Sequence, residues 1–170
     1  MQQYERREAL PVHPVPAEVA TPDAWRLRVE GLVTKPLALT IRDVEALGTR
    51  AHSADFDCEE GWMVPDQQWE GVEVAAILER AGVKPTARFL KVCAGDFTVL
   101  LPLEEALRGG APLARRLNGK PLTREHGAPL RLVVPGRACF YSMKWVDRLD
   151  VLAEAVPTTG ASIARNRLQR

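Results

Sequence analysis

A chain of 170 residues, 46% hydrophobic and 26% charged, has the size and composition of one globular domain with a real core. Its 23 basic and 22 acidic side chains leave a formal net charge of +1, which argues against broad attraction to nucleic acid or an anionic membrane, so any anion site must be local. Cys58, Cys93 and Cys139 are dispersed without a CxxC pair, which argues against a disulfide framework or a zinc knot and leaves at least one thiol free.

The stretch from Met1 to Glu8 is polar, without the apolar run of a secretory signal, and no later segment is long and apolar enough to span a bilayer. The reading is a soluble, cytoplasmic protein; a processed mature form of an exported precursor, hence periplasmic, would have the same pattern. Residues 1–24 hold Pro11, Pro14, Pro16 and Pro22, which disfavour helix and predict an extended arm across the body. The body runs over 25–156. It opens with Trp25, Leu27 and Val29 alternating with charged residues, the period of a half-buried strand ending at Gly31.

Thr40 and Asp43 form a capping box ahead of Val44 and Leu47, so a short helix is expected up to Gly48. A second helix is predicted from Val72 to Ala81, stopped by Gly82. Two β-rich runs between Arg88 and Leu101 flank Gly95-Asp96 and predict a hairpin, after which Pro102 starts a helix to Leu107. Asn118-Gly119 marks another turn, and Leu130 to Val134 a short strand ended by Pro135-Gly136. Short helices among strands, without βαβ alternation, predict an α+β domain. Residues 157–170 read as a frayed basic tail.

Two places carry candidate chemistry. Cys58, in FDCEEGW, leads into a glycine-aromatic turn; it fits a buried small hydrophobe or a metal-binding thiolate, and no Cys/His signature supports a nucleophile. The run from Asn118 to Trp145 places His126, Arg131, Ser142 and Lys144 around glycine turns, either as a phosphate-sized anion pocket or as solvated loop charges. It contains no phosphate-binding glycine loop of the nucleotide type. Asp57, Glu59, Glu60 and Asp66 fit a solvated acidic face better than an acid–base pair. His52 reads as a surface or hydrogen-bonded histidine. Cys93 reads as buried, and Trp62, Trp69 and Trp145 as core or as the border of a channel.

The blocks WRLRVEGLVTKPLALTIRDVEAL, DCEEGWMVPDQQWEGVEVAAIL, NGKPLTREHGAPLRLVVPG and SMKWV, in that order, resemble the molybdopterin-binding domain of the sulfite oxidase family. The resemblance implies a sulfite-oxidase-type fold of mixed short sheets with short helices, and a molybdenum oxidoreductase with one pterin per metal, moving an oxygen atom to or from a small substrate. It implies Cys58 as the catalytic and metal-binding thiolate, a soft donor suited to molybdenum. It also implies cofactor contacts from His126, Arg131, Ser142, Met143 (through backbone) and Lys144. His13 falls near a further family contact but one residue out of register, and is left outside the assigned set.

Several departures from the family pattern bear on function. No arginine stands between Cys58 and Trp69, Ala138-Cys139 replaces a Tyr-Gly, and Phe97 replaces an aromatic hydroxyl. The haem and immunoglobulin-like domains of full sulfite oxidases have no counterpart, so electrons are expected to pass to a separate partner, a cytochrome or a membrane haem subunit. The alternative is a catalytically silent module that keeps the molybdopterin fold for binding or interaction.

Overall fold

In the computed structural model, residues 4–168 are described, with side chains up to residue 166. Two sheets carry the molecule. One has six strands: β1 (Glu5–Arg6), β4 (Arg50–Cys58), β5 (Trp62–Glu73), β8 (Pro112–Leu117), β9 (Lys120–Pro121) and β10 (Arg131–Leu132). The other has five, in the order β3 (Leu37–Leu39), β2 (Leu27–Gly31), β11 (Arg148–Leu152), β6 (Phe89–Ala94) and β7 (Phe97–Pro102). Helices α1 (Ile41–Glu45), α2 (Val74–Ala81) and α3 (Leu103–Arg108) fill connections, so the architecture is α+β, as the mixed pattern predicts.

Local chemistry explains most element ends. Thr40 Oγ1 accepts from the Asp43 amide at 3.2 Å while Asp43 Oδ2 accepts from the Thr40 amide at 2.8 Å, so both exposed donors at the start of α1 are satisfied. Gly82 ends α2 in the left-handed region. The hairpin of β6 and β7 turns between Ala94 and Phe97, as Gly95-Asp96 suggests.

Strand alternation divides the core. Leu130 and Leu132 join the main cluster, which is shared with Leu27, Val29, Leu90, Leu149 and the inner faces of α2 and α3. Arg131 and Val133 turn the opposite way, toward a second cluster of Leu10, Phe56, Cys58, Trp62, Val64 and Trp69. That second face of the six-stranded sheet carries the candidate site. Among the described residues no helix is long and apolar enough to cross a membrane.

Two expectations change, and one strand pair lay outside them. Only Arg131–Leu132 of the run from Leu130 to Val134 pairs as strand, because Pro135-Gly136 pulls the chain off the sheet. The long antiparallel pair of β4 and β5 had no clear alternating signal, since β4 is polar over most of its length. The tail from residue 157 is not frayed throughout: it forms α4 (Gly160–Leu168), anchored where Thr159 and Thr98 exchange hydrogen bonds at 3.0 and 3.1 Å.

Candidate molybdopterin site

Cys58 is the last residue of β4, opposite Trp62 of β5. The two-residue period puts Phe56 and Cys58 on the inner face and Asp57 outside, so the thiol is 4% exposed. The chain then reverses through Glu59, Glu60 and Gly61, whose amide bonds the Cys58 carbonyl at 2.9 Å. Gly61 has φ +88°, a conformation that favours glycine and is needed for so tight a return.

Arg131 lies beneath that hairpin. It is 5% exposed, its guanidinium stacked 5.2 Å from both the Phe56 and Trp69 rings. One Nη donates to the His126 carbonyl at 3.1 Å, while Nε is buried without a partner. Among the described residues no carboxylate pairs with it. Burial pulls its pKa well below the usual arginine range to about 10, with the nearby Cys139 sulfur opposing, so it remains a cation at neutral pH.

Cys139 opens a one-turn 3-10 helix (Cys139–Tyr141) and brings its thiol against Cys58. The contact with Cys139, reinforced by burial, pushes the Cys58 thiol well above the ordinary range, while the same contact lowers the half-buried Cys139. Ser142 follows, with its hydroxyl oxygen accepting from the Val134 amide at 3.1 Å, which leaves the O–H as a donor. Lys144 Nζ lies 3.0 Å from His13 Nδ1 and donates to the carbonyls of Pro11 and Glu125. Gly127, at φ +115°, lets that loop lie on Lys144: a Cβ there would sit 2.9 Å from the Lys144 Cβ and 3.0 Å from its Cα.

The N-terminal arm closes one side. It pairs β1 in parallel with Trp62-Met63 and is tied down further along, where Arg124 donates to the carbonyls of Val19 and Ala20 and His126 Nε2 lies 3.3 Å from the Leu10 carbonyl. These elements enclose a cavity of about 360 Å³. Cys58, Arg131, Ser142, Met143 and Lys144 all line it, together with Cys139, His13 and Arg7 from the arm, Glu59 and Glu60, Trp62, and Ile163 and Ala164 from α4. A larger neighbouring cavity of about 490 Å³ shares Pro16, Glu18, Ala94 and Trp145 with it but has no cysteine in its walls, so the chemistry belongs to the first.

Comparison with known proteins places the chain in a family. The sequence matches the oxidoreductase molybdopterin-binding domain family over residues 12–159. The chain belongs to that family. It is 39% identical over 134 residues to the uncharacterized oxidoreductase YuiH of Bacillus subtilis, covering 78% of this chain and 68% of that one. It is 30% identical over 167 residues to the sulfite oxidase of Arabidopsis thaliana, covering 77% of this chain and 42% of that one. The solved sulfane dehydrogenase SoxCD of Paracoccus pantotrophus superposes with a TM-score of 0.76 at 29% identity, over 82% of this chain and 41% of that one. The chain thus spans less than half the length of the latter two. The sulfite-oxidase-type fold and the oxidoreductase class implied by the sequence resemblance both hold.

The residues present fit a molybdopterin. Among the described residues no three His, Cys, Asp or Glu side chains converge as an all-protein metal site, so a metal beside Cys58 needs further donors from a non-protein ligand. A buried guanidinium with an unpaired Nε and no carboxylate partner is a ready receptor for an anionic group. Five of the six predicted residues are brought to one wall. The sixth, His126, is not: its ring bonds Thr123 and the Leu10 carbonyl, one layer behind. His13 is on the wall, although its register had kept it out of the assigned set. Glu59 and Glu60 reach the cavity, whereas Asp57 and Asp66 face solvent. Trp69 is core, while Trp62 and Trp145 border the cavity. His52 pairs with Glu73, and Cys93 is buried in the other sheet. Sequence reasoning missed Arg7 and Ile163, because nothing local signals that the two ends of a chain will meet over one cavity.

Proposed function

We propose that this domain holds a mononuclear molybdenum with one pterin in the cavity, with the Cys58 sulfur as protein ligand, and transfers an oxygen atom to or from a small substrate. The observation that carries this reading is a single cavity wall shared by a buried thiol and a buried guanidinium without a carboxylate. One offers a soft donor, the other a fork for phosphate oxygens.

In this reading Arg131 anchors the pterin phosphate, helped by Lys144 as a point charge, the Ser142 hydroxyl as donor and the main chain at Met143. His126 acts indirectly, its carbonyl orienting Arg131 and its ring holding the arm. When bound, the cofactor supplies two-electron redox chemistry and oxygen-atom exchange. The protein's own part is placement and exclusion of water. Trp62, Phe97, Phe140 and Ile163 supply apolar lining, and Glu59 and Glu60 add negative charge to it. Those carboxylates oppose a free anion, so a neutral substrate suits the cavity better than sulfite. Electrons pass to or from a separate redox protein.

Cys58→Ser, expressed in a host that makes the cofactor, tests the assignment. Substrate-dependent reduction of a dye acceptor should vanish across sulfite, sulfoxides, N-oxides and nitrate, with near-wild-type circular dichroism. Unchanged turnover would remove Cys58 from the chemistry. Lys144→Ala should lower pterin and molybdenum content, since each charge-assisted bond is worth about 1.5–3 kcal/mol; equal occupancy would rule out its anchoring role.

A further inference from the structure

The Cys58–Cys139 pair is more than one metal ligand requires. Both residues line the same cavity, where the 3-10 turn that carries Cys139 packs against β4, whereas the third thiol, Cys93, is sealed in the five-stranded sheet against Arg148 and Asp150. Cys139 is also the more accessible of the two and stands beside the Arg131 cation. It sits at the start of a single 3-10 turn whose N-terminal residue, Ala138, provides no side-chain cap, so little secondary structure resists a small displacement. A disulfide needs the two sulfurs brought to about 2 Å, a displacement that a single uncapped turn can supply.

We propose that Cys58 and Cys139 form a reversible disulfide in the cofactor-free chain, and that this bond blocks cofactor uptake. The inference rests on the reading of Cys58 as the metal ligand. A hydroperoxide is the oxidant. The Cys139 sulfur attacks its terminal oxygen, the O–O bond breaks, and Cys139 becomes a sulfenic acid as the other oxygen leaves and is protonated. The Cys58 sulfur then attacks the Cys139 sulfur, the S–O bond breaks, and the hydroxyl leaves as water with the proton from Cys58. Two thiols are oxidised by two electrons and one hydroperoxide is reduced. A small dithiol reverses the bond by exchange. A disulfide sulfur is a poor metal donor compared with a thiolate, so the oxidised chain waits empty until reduced.

The test compares full-length chain from a host unable to make the pterin with cofactor-loaded chain from a competent host, each treated with hydrogen peroxide and analysed by intact mass and peptide mapping. The cofactor-free protein should become two hydrogens lighter, yield a crosslinked peptide pair containing Cys58 and Cys139, and leave Cys93 alkylatable. The loaded protein should resist. Oxidised chain should take up at least tenfold less molybdenum than dithiol-reduced chain in an in vitro loading reaction, and Cys139→Ser and Cys139→Ala should lose that peroxide sensitivity. Oxidation only to sulfenic or sulfinic acid, or a crosslink through Cys93, would overturn the proposal. If the 58–139 crosslink forms but uptake is equal, the gate fails together with Cys58 as the ligand; if no crosslink forms while Cys58→Ser still loses molybdenum, the disulfide alone fails.

Discussion

Replacing Arg131 with methionine separates a residue kept for a ligand from one kept for the fold. The guanidinium is buried, and desolvation draws its pKa down from the usual arginine range to about 10. Folding therefore depresses the affinity for a proton, so the charged form carries its full penalty below the folded value, which includes neutral pH. At 1.36 kcal/mol per unit the penalty is about 3 kcal/mol. Against it stand one charge-assisted hydrogen bond to the His126 carbonyl, worth about 1.5 kcal/mol, and two ring contacts at 5.2 Å worth about 0.5–2 kcal/mol each. Methionine fills much of the same volume without the charge. The opposing effects nearly cancel, so the cofactor-free variant should stay within about 2.5 kcal/mol of wild type, at roughly 2–4 °C in Tm per kcal/mol for a chain of this size. In the loaded protein the variant loses in addition a phosphate contact worth about 1.5–3 kcal/mol. Urea unfolding of both forms reads the two effects. A variant destabilised by more than about 3 kcal/mol without cofactor would make Arg131 a structural residue and refute the reasoning.

Gly127→Ala should be destabilising by more than about 1 kcal/mol, because φ is +115° and the new methyl would press on Lys144 at 2.9 Å; it should also reduce pterin retention, and wild-type values for both would contradict the packing seen there. Glu105 is held below its usual carboxylate range by the Arg137 guanidinium, so the stability from this pair is present above the unfolded value and lost as pH falls through the lowered one. With both side chains about a third exposed, Glu105→Gln should remove about 0.5–1 kcal/mol at neutral pH and flatten the loss below the ordinary carboxylate range, as read by unfolding at several pH values.

Local signals were legible where a residue's role depends on its immediate neighbours. The Thr40–Asp43 box, the Gly82 stop and the Gly95-Asp96 turn are each set by hydrogen bonds or backbone angles spanning a few residues, and the sequence alone determined them. It also marked Cys58 and the cationic run near Arg131 as candidates, and the order of four blocks pointed to the family. It did not bring Cys139 to Cys58, reveal that His126 faces the arm rather than the cavity, or give the tail a role as a cavity wall. Those facts depend on contacts across large sequence separations: β4 against the 3-10 turn, residue 126 against residue 10, α4 against β7. Only the tertiary fold decides them, because burial, charge neutralisation and thiol pairing arise from what two distant segments exclude from water when they meet, a quantity no window of sequence contains.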